Sequence, residues 1–197
     1  MGGYHLKTPI SEEEIRKLKV GDVIYITGII VTARDKAHMK ALKEDIPEEL
    51  KKYLENGVVY HVGPVVKREG DKWIIVSAGP TTSIRMEPIE YDFIKKYKVR
   101  VVIGKGGMGD KTLQACKEFG AVYAHFPGGC GALAAKSIKN VKTVFFLDEL
   151  GVPEAFWILE VEEFGPLLVT MDANGNSVHA EIAKEVEGNF KKILEQI

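Results

Sequence analysis

Cationic and hydroxyl side chains that could bind a small anion are concentrated in three short segments of the sequence. The first segment is Thr32-Ala33-Arg34-Asp35-Lys36-Ala37-His38. Arg34 and His38 are four residues apart, so they share a face if a helix begins here. Histidine titrates near neutral pH, which makes His38 a candidate acid or base; an ordinary surface or core histidine is the alternative interpretation.

A run of hydroxyl groups marks the second segment, Ser77-Ala78-Gly79-Pro80-Thr81-Thr82-Ser83-Ile84-Arg85-Met86. Thr81, Thr82 and Ser83 are consecutive, and the segment lies between a predicted strand and a predicted helix. Ligands of α/β folds collect at the carboxyl ends of strands, so this segment is a candidate binding site. The alternative is that one hydroxyl caps the helix while Arg85 lies on the surface.

A glycine-rich loop with a lysine is the third segment, Gly104-Lys105-Gly106-Gly107-Met108-Gly109. It matches the pattern of dinucleotide-binding folds, but these also need an acidic residue about 20 positions further on, where this chain has His125-Phe126-Pro127. A P-loop is also broken, because Asp110 precedes Lys111-Thr112. The loop could instead hold a small anion with Lys105 and the free N–H groups of the next helix, or be only a tight packing turn. A nucleotide- or phosphate-binding module is the alternative function of another class.

The two cysteines, Cys116 and Cys130, do not suggest a metal site. Cys130 lies in a second glycine-rich turn, where it is either near a ligand or a small buried thiol. Together with His125 they lack the paired spacing of zinc ligands. An iron–sulfur cluster normally needs more thiolates than this chain supplies, so we predict no metal ligand on it.

Composition and charge are those of an ordinary globular protein. The chain is 45% hydrophobic and 28% charged, with a formal net charge of -1, which does not favour nucleic acid or an anionic membrane as a partner. No apolar run approaches the roughly 18–20 residues of a membrane helix, and the N-terminus lacks a signal peptide's apolar stretch. We therefore predict one cytoplasmic domain over residues 1–197.

The pattern of apolar residues predicts an α/β fold with two unlike halves. The first half is predicted to contain a helix at about 11–18, a buried strand at 22–31, a helix at about 34–44, and strands at about 58–62 and 73–77 around a Gly70-Asp71 turn. The second half is predicted to contain helices at about 87–97, 111–119 and 132–138, strands at about 100–103, 121–126, 143–147, 155–161 and 166–171, and a C-terminal helix. A β-rich first half would thus pack against a second half of parallel βαβ units.

Several of these motifs together resemble one family. The matching motifs are Ala33-Arg34-Asp35-x-x-His38, Gly79-Pro80-Thr81-Thr82-Ser83-x-Arg85-Met86, Gly104-Lys105-Gly106-Gly107-Met108, Phe126-Pro127-x-Gly129-Cys130 and Glu163-Phe164-Gly165-Pro166. They are similar to the β subunit of class I fumarate hydratase and L(+)-tartrate dehydratase, from about Thr8 to the final helix. The Gly-Pro-Thr-Thr stretch is highly specific when the lysine loop follows at this distance.

The resemblance implies a swivelling β/β/α domain that supplies half of an active site. The other half would be a cluster-bearing α subunit that ligates a 4Fe-4S cluster, in a homodimeric or heterotetrameric assembly. Arg34, Arg85 and Lys105 would hold the substrate's carboxylates, and Thr82 would bind substrate beside them. Thr81 would transfer a proton with an aspartate of the partner. His38 would be a further catalytic candidate.

The activity implied by the resemblance is the reversible hydration of fumarate to (S)-malate. In the reverse direction, removal of the C–H beside a carboxylate builds charge on that carboxylate, and fixed cations there stabilise the transition state more than the ground state. Ser83-Ile84 stands where single-chain fumarases have Ala-Gly. Dehydration of L(+)-tartrate to oxaloacetate is therefore the alternative reaction.

Overall fold

Strands and helices alternate along the chain in the computed structural model, which describes residues 3–194. The strands are β1 (Tyr4–Lys7), β2 (Val23–Thr32), β3 (Val58–Tyr60), β4 (Val65–Glu69), β5 (Lys72–Ser77), β6 (Val101–Gly104), β7 (Val122–His125), β8 (Ile138–Phe145) and β9 (Phe156–Met171). The helices are α1 (Glu12–Lys17), α2 (Asp35–Lys43), α3 (Glu48–Leu54), α4 (Glu87–Tyr97), α5 (Asp110–Phe119), α6 (Gly131–Ser137), α7 (Leu147–Leu150) and α8 (Val178–Leu194). A 3-10 turn at Ser83–Met86 leads into α4.

One large sheet dominates the fold, and it closes on itself. Its strand order is β1-β2-β3-β6-β7-β9-β8, and β2 also pairs with β9. The strands from β1 through β7 in this order are parallel to one another, whereas β9 runs antiparallel to β2, β7 and β8. The long β9 therefore joins the two sides of the sheet into a barrel.

The side chains of the parallel strands point alternately to the two faces of the sheet, and each face borders its own hydrophobic core. Val58 and Tyr60 face the core enclosed by the sheet, whereas Val59 between them faces the helices packed outside. The same alternation recurs in β6, where Val102 faces outward. Successive side chains of a strand point to opposite faces, so strands buried on both sides are apolar throughout.

The prediction of two unlike halves was wrong in its arrangement. β2 and β3 of the first half pair in parallel with β6 and β7 of the second, so both halves contribute to one sheet. The predicted strand at 143–147 is part of β8, which pairs antiparallel with β9 and does not extend the parallel series. The two strands predicted at 155–161 and 166–171 are one continuous strand, because ladder pairing with β2 runs through both.

Most of the local predictions were confirmed. The capping box at Ser11 is present, with the Glu14 carboxylate accepting the Ser11 backbone N–H at 3.0 Å. Gly70, with φ +59, forms the turn of the β4–β5 hairpin. β1, α3, β4 and α7 were not predicted. No helix in residues 3–194 combines the length and the apolar character needed to cross a membrane.

Candidate active site

Four neighbouring parallel strands bring the predicted segments to one edge of the sheet. β2, β3, β6 and β7 end at Thr32, Tyr60, Gly104 and His125, and their carboxyl ends point the same way. Arg34, His61, Lys105 and the glycine-rich turn at 126–131 follow these four strand ends. Ligands of α/β sheets bind at this kind of edge.

The hydroxyl loop, defined as residues 79–86, crosses this edge and is fixed there through its backbone. The Thr81 N–H donates to the His61 carbonyl at 2.6 Å. The Ser83 N–H donates to the Lys105 carbonyl at 3.1 Å, and Thr82 forms a parallel bridge with Lys105. Thr81 and Thr82 therefore lie beside the lysine, as the sequence motifs suggested.

The lysine loop, defined as residues 104–109, owes its shape to glycines at two points. Gly106 has φ +75, a conformation that favours glycine. A Cβ at Gly104 would overlap the Ser83 hydroxyl, so only glycine allows the two loops to approach this closely. The Lys105 side chain passes Gly128, where an added Cβ would lie 3.0 Å from Lys105 Cδ. All three loops thus meet around Lys105.

The N-terminus of α5 does not offer the free N–H groups that the sequence suggested. The Glu87 carboxylate accepts the backbone N–H groups of Gly109 (2.8 Å), Lys111 (3.0 Å) and Thr112 (3.3 Å). It also accepts the Thr112 hydroxyl at 2.6 Å. An internal carboxylate therefore occupies the position where a nucleotide phosphate would bind.

Arg34 and Arg85 converge at the start of α2, and each contacts a carboxylate. Arg34 Nε lies 3.3 Å from Glu154 Oε1, and the arginine side chain is 21% exposed. Arg85 Nη2 donates to Asp35 Oδ2 at 2.6 Å, with 51% of its side chain exposed. Asp35 directly follows Arg34 in the sequence, so the second ion pair ties Arg85 to the start of α2.

His38 lies beneath this surface. It is fully buried, and its Nδ1 lies 2.9 Å from the Arg34 carbonyl. Its Nε2 lies 3.3 Å from Glu90 Oε2, and the same oxygen lies 3.2 Å from His61 Nε2. His38, His61 and Glu90, termed the His–Glu–His cluster below, are all inaccessible to solvent.

Burial and the shared carboxylate act in opposite directions on both histidines. Burial is the largest influence on His38 and acts to lower its pKa, but the charge and hydrogen bond of Glu90, the Arg34 carbonyl and the charge of Asp35 together outweigh it, and the net pKa is raised. Burial lowers the pKa of His61, which falls despite its contact with the same carboxylate. Burial alone would raise the pKa of Glu90, whereas the two histidines lower it overall. The pKa values of the two histidines therefore move in opposite directions, upward for His38 and downward for His61.

The cysteines do not fit an iron–sulfur cluster. Cys116 is buried, and burial raises the pKa of its thiol, which disfavours the thiolate that a metal needs. Cys130 is half-buried and packs against the core enclosed by the sheet. Among residues 3–194, the only group of three or more side chains close enough to hold a metal is the His–Glu–His cluster.

A surface cleft elsewhere on the chain is a poorer candidate site. Its volume is about 360 Å³, and its lining includes Lys51, Asp45 and Glu48. Lys51 lies 2.6 Å from both of these carboxylates, so its charge is already balanced. The strand-end site instead combines Lys105 with two arginines and a row of hydroxyl groups.

Sequence reasoning missed His61, Glu90, Glu87 and Glu154. A signal for Glu90 exists in the apolar face of α4, where it lies between Met86 and Phe93 at helical spacing. A carboxylate in such a face indicates a buried charge with a partner. Glu154 is separated from Arg34 by more than a hundred residues, and no local pattern links them.

Comparison with known proteins places the chain in a family. The sequence model of the family described as "Fumarase C-terminus" matches residues 4–182. The L(+)-tartrate dehydratase subunit beta of Escherichia coli is 45% identical over 195 residues, which are 98% of this chain and 94% of that protein. A Methanocaldococcus jannaschii protein, provisionally named L(+)-tartrate dehydratase subunit beta, is 47% identical over 186 residues, 94% of this chain and 95% of its own length. A Geobacillus stearothermophilus protein, provisionally named fumarate hydratase class I, is 50% identical over 181 residues, 91% of this chain and 34% of its own length. With a family match over most of its length and close relatives in both groups, this chain belongs to the fumarase C-terminus family.

Proposed function

We propose that the chain is the β subunit of a hydro-lyase that reversibly hydrates fumarate to (S)-malate and is active only with its α subunit. The observation that carries this proposal is that the segments bearing Arg34, Thr81, Arg85 and Lys105 lie at the carboxyl ends of four neighbouring parallel strands. The names of its relatives, tartrate dehydratase and fumarate hydratase, support the same class of reaction.

The cations of the site suit a substrate with two carboxylates. A guanidinium has five N–H donors, and each arginine uses only part of this set on its protein carboxylate. The remaining donors of Arg34 and Arg85 can bind carboxylate oxygens, and Lys105 adds a point charge. Cations fixed by the protein stabilise the charge that develops on a carboxylate when the neighbouring C–H is broken.

Thr81 is the proposed proton-transfer residue. Its side chain is half-buried at the rim, and its backbone is fixed by the His61 carbonyl. A threonine hydroxyl is a weak base unless a neighbouring group takes its proton, so an aspartate of the partner completes the pair in this proposal. His38 is enclosed by protein on both ring nitrogens, which favours Thr81 for direct contact with substrate.

The 4Fe-4S cluster belongs to the α subunit in this proposal. The chain's own cysteines do not fit such a cluster. When bound by the partner, the cluster supplies a Lewis acid for the hydroxyl leaving group. The proposal further places the chain as a swivelling β/β/α domain, in a homodimeric or heterotetrameric cytoplasmic enzyme.

Dehydration of L(+)-tartrate to oxaloacetate is the second candidate, and it is favoured by the names of the relatives matched over nearly their whole length. Of the Ser83-Ile84 difference, Ser83 does not decide between the two substrates, whereas Ile84 is exposed on the hydroxyl loop. Ser83 is fully buried and its hydroxyl lies against His61, so it does not face the site.

The test is a kinetic comparison of the complex reconstituted with its α subunit. We expect turnover of (S)-malate and fumarate, and none by the chain alone. Turnover of L(+)-tartrate only would replace the first candidate by the second. Turnover of neither diacid, together with tight binding of ATP or NAD by the chain, would favour a nucleotide-binding module.

A further inference from the structure

A continuous series of polar contacts runs beneath the candidate site, from Lys105 to Arg34. The Lys105 N–H donates to Ser83 Oγ at 3.2 Å, and that oxygen lies 2.9 Å from His61 Nδ1. His61 Nε2 reaches Glu90 at 3.2 Å, and Glu90 reaches His38 Nε2 at 3.3 Å. His38 Nδ1 completes the series at the Arg34 carbonyl, 2.9 Å away.

The arrangement of protons that we assign places two protons on His38 and satisfies every contact in this series. With His38 doubly protonated, its Nδ1–H donates to the Arg34 carbonyl and its Nε2–H faces the Glu90 carboxylate. With His61 neutral and protonated on Nε2, its Nδ1 accepts the Ser83 hydroxyl. The series then contains one cation and one anion and is neutral overall, which lowers the cost of burying it.

An arrangement with two neutral histidines and an ionised Glu90 carries a net negative charge and leaves bad contacts. If both histidines carried a proton on Nδ1 alone, their two Nε2 lone pairs would face the Glu90 carboxylate. Neither Nε2 atom nor the carboxylate has another hydrogen-bond partner in residues 3–194. Unpaired buried polar atoms are costly, so this arrangement is disfavoured.

We propose that Glu90 is a positioning residue, which through His38 and His61 fixes the distance between the Arg34 and Lys105 anion sites. This inference rests on the proposed function, in which Arg34 and Lys105 both take part in binding the two carboxylates of the substrate. The two sites are carried by separate loops, which follow β2 and β6. A dicarboxylate needs both sites at a set spacing, whereas a monocarboxylate needs only one.

Other ionisable groups around the cluster are few. Asp35 of α2 acts on both histidines, and the charge of Glu90 acts on Cys116 of α5 and Tyr123 of β7. Burial raises the pKa of Cys116 and of Tyr123, so both stay neutral near pH 7. The Phe93 ring, 4.2 Å from the His38 ring, closes the remaining side. The cluster is therefore controlled mainly by its own three members.

The first test compares inhibitors of the reconstituted complex in wild type and Glu90→Gln. Glutamine keeps the shape of the side chain but removes the charge that holds the proton on His38. We expect the inhibition constant of succinate to rise at least about tenfold, because one charge-assisted contact is lost. The inhibition constant of butyrate should change by less than about threefold. Equal changes for both inhibitors, or no change for either, would overturn the proposal.

Two further variants separate positioning from folding. Ser83→Ala removes the link between His61 and Lys105 without leaving an unpaired charge, and should show the same preference for weakening succinate. Glu90→Asp keeps the charge and should restore part of the succinate binding lost in Glu90→Gln. Glu118→Gln, which alters a contact with Tyr91 on the outside of the helices, is the matched control. Selective loss of succinate binding in that control would also contradict the proposal.

The second test does not depend on activity. Nitrogen NMR of the histidines in the full chain should show His38 protonated on both nitrogens at pH 7, and His61 protonated on Nε2. Glu90→Gln should convert His38 to the neutral form. Two neutral histidines in wild type, or one equivalent of zinc found by elemental analysis, would overturn the inference. If the wild-type complex acts on neither diacid but the NMR result holds, the proposed function fails while the buried proton arrangement stands.

Discussion

Glu87 and Gly109 are joined by a hydrogen bond of 2.8 Å between the Glu87 carboxylate and the Gly109 N–H. This contact begins the capping of α5, which the same carboxylate completes at Lys111 and Thr112. The N-terminus of α5, which follows the glycine-rich loop, is thus already capped by a carboxylate of the same chain. Substrate binding at this edge is left to side-chain cations, and the match to dinucleotide-binding loops is one of sequence pattern only.

Removal of this internal cap should destabilise the chain. For Glu87→Ala we expect the free energy of unfolding to fall by about 1–2 kcal/mol, as is typical for loss of an N-terminal cap. Urea unfolding of the full chain measures the change. Glu13→Ala, which breaks an exposed ion pair with Lys17, is the control and should have little effect. Unchanged stability of Glu87→Ala would mean that water replaces the carboxylate without loss.

The anion-binding role of Arg85 and Lys105 predicts a kinetic defect. Each alanine variant should lower kcat/KM of the reconstituted complex at least about tenfold, because a charge-assisted hydrogen bond contributes roughly 1.5–3 kcal/mol. Arg68→Ala on the β4–β5 hairpin and Lys111→Ala on α5 are the matched controls. Wild-type rates in Arg85→Ala and Lys105→Ala would show that neither cation contacts substrate.

The role of Thr81 predicts a difference between two conservative changes. Thr81→Val keeps the shape but loses the hydroxyl, so kcat should fall by about 10²–10⁴, the usual contribution of a positioned proton-transfer group. Thr81→Ser keeps the hydroxyl and should retain much of the rate. Steady-state kinetics on malate measures both. Equal rates for the two variants would remove Thr81 from proton transfer.

The His–Glu–His cluster predicts how stability depends on pH. The lowered pKa of Glu90 means that its contribution is present above about pH 4.3, the unfolded value, and is lost as pH falls through the folded value. The raised pKa of His38 means that its contribution is complete below about pH 6.5 and is lost as pH rises through the folded value. The difference in unfolding free energy between wild type and Glu90→Gln should therefore be largest between about pH 4.3 and 6.5. A difference that is constant from pH 4 to pH 9 would contradict the assigned charges.

The close contact between the hydroxyl loop and the lysine loop predicts that Gly104→Ala lowers activity, whereas Gly188→Ala in α8 does not. Gly104→Ala places a methyl group against the Ser83 hydroxyl and the Tyr123 hydroxyl, so it should displace the hydroxyl loop and lower kcat/KM. At Gly188 in α8, nothing lies within 4 Å of an added Cβ. Gly188→Ala should leave activity unchanged and raise helix stability by up to about 1 kcal/mol. Full activity in Gly104→Ala would mean that the loops tolerate separation.

Local sequence signals predicted the elements well because they depend on neighbours in the chain. The capping box at Ser11, the Gly70-Asp71 turn and the periodic helix at 87–97 are all present as expected. The motifs also predicted that Thr81, Arg85 and Lys105 belong to one site, and the sheet brings their loops together.

The partners of these residues could not be predicted in the same way. The pairing of Arg34 with Glu154, of Arg85 with Asp35, and of Glu87 with α5 depends on how distant segments pack. The place of β8 also depends on distant packing. Its apolar pattern is the same for a strand paired in parallel and for one paired antiparallel at an edge, and the long β9 decides between them.

The pairing of β2 with β9 has a consequence for how this protein is made. Val23 pairs with Leu168, and Val31 pairs with Ile158, so the sheet closes only between residues that are far apart in the chain. A ribosome will have released most of the polypeptide before β2 meets β9. Until then one side of β2 is an open strand edge with unpaired backbone groups, and such an edge favours aggregation of a partly folded chain. Contacts of such long range also make folding slow, and a chain that ends before β9 would have no enclosed core.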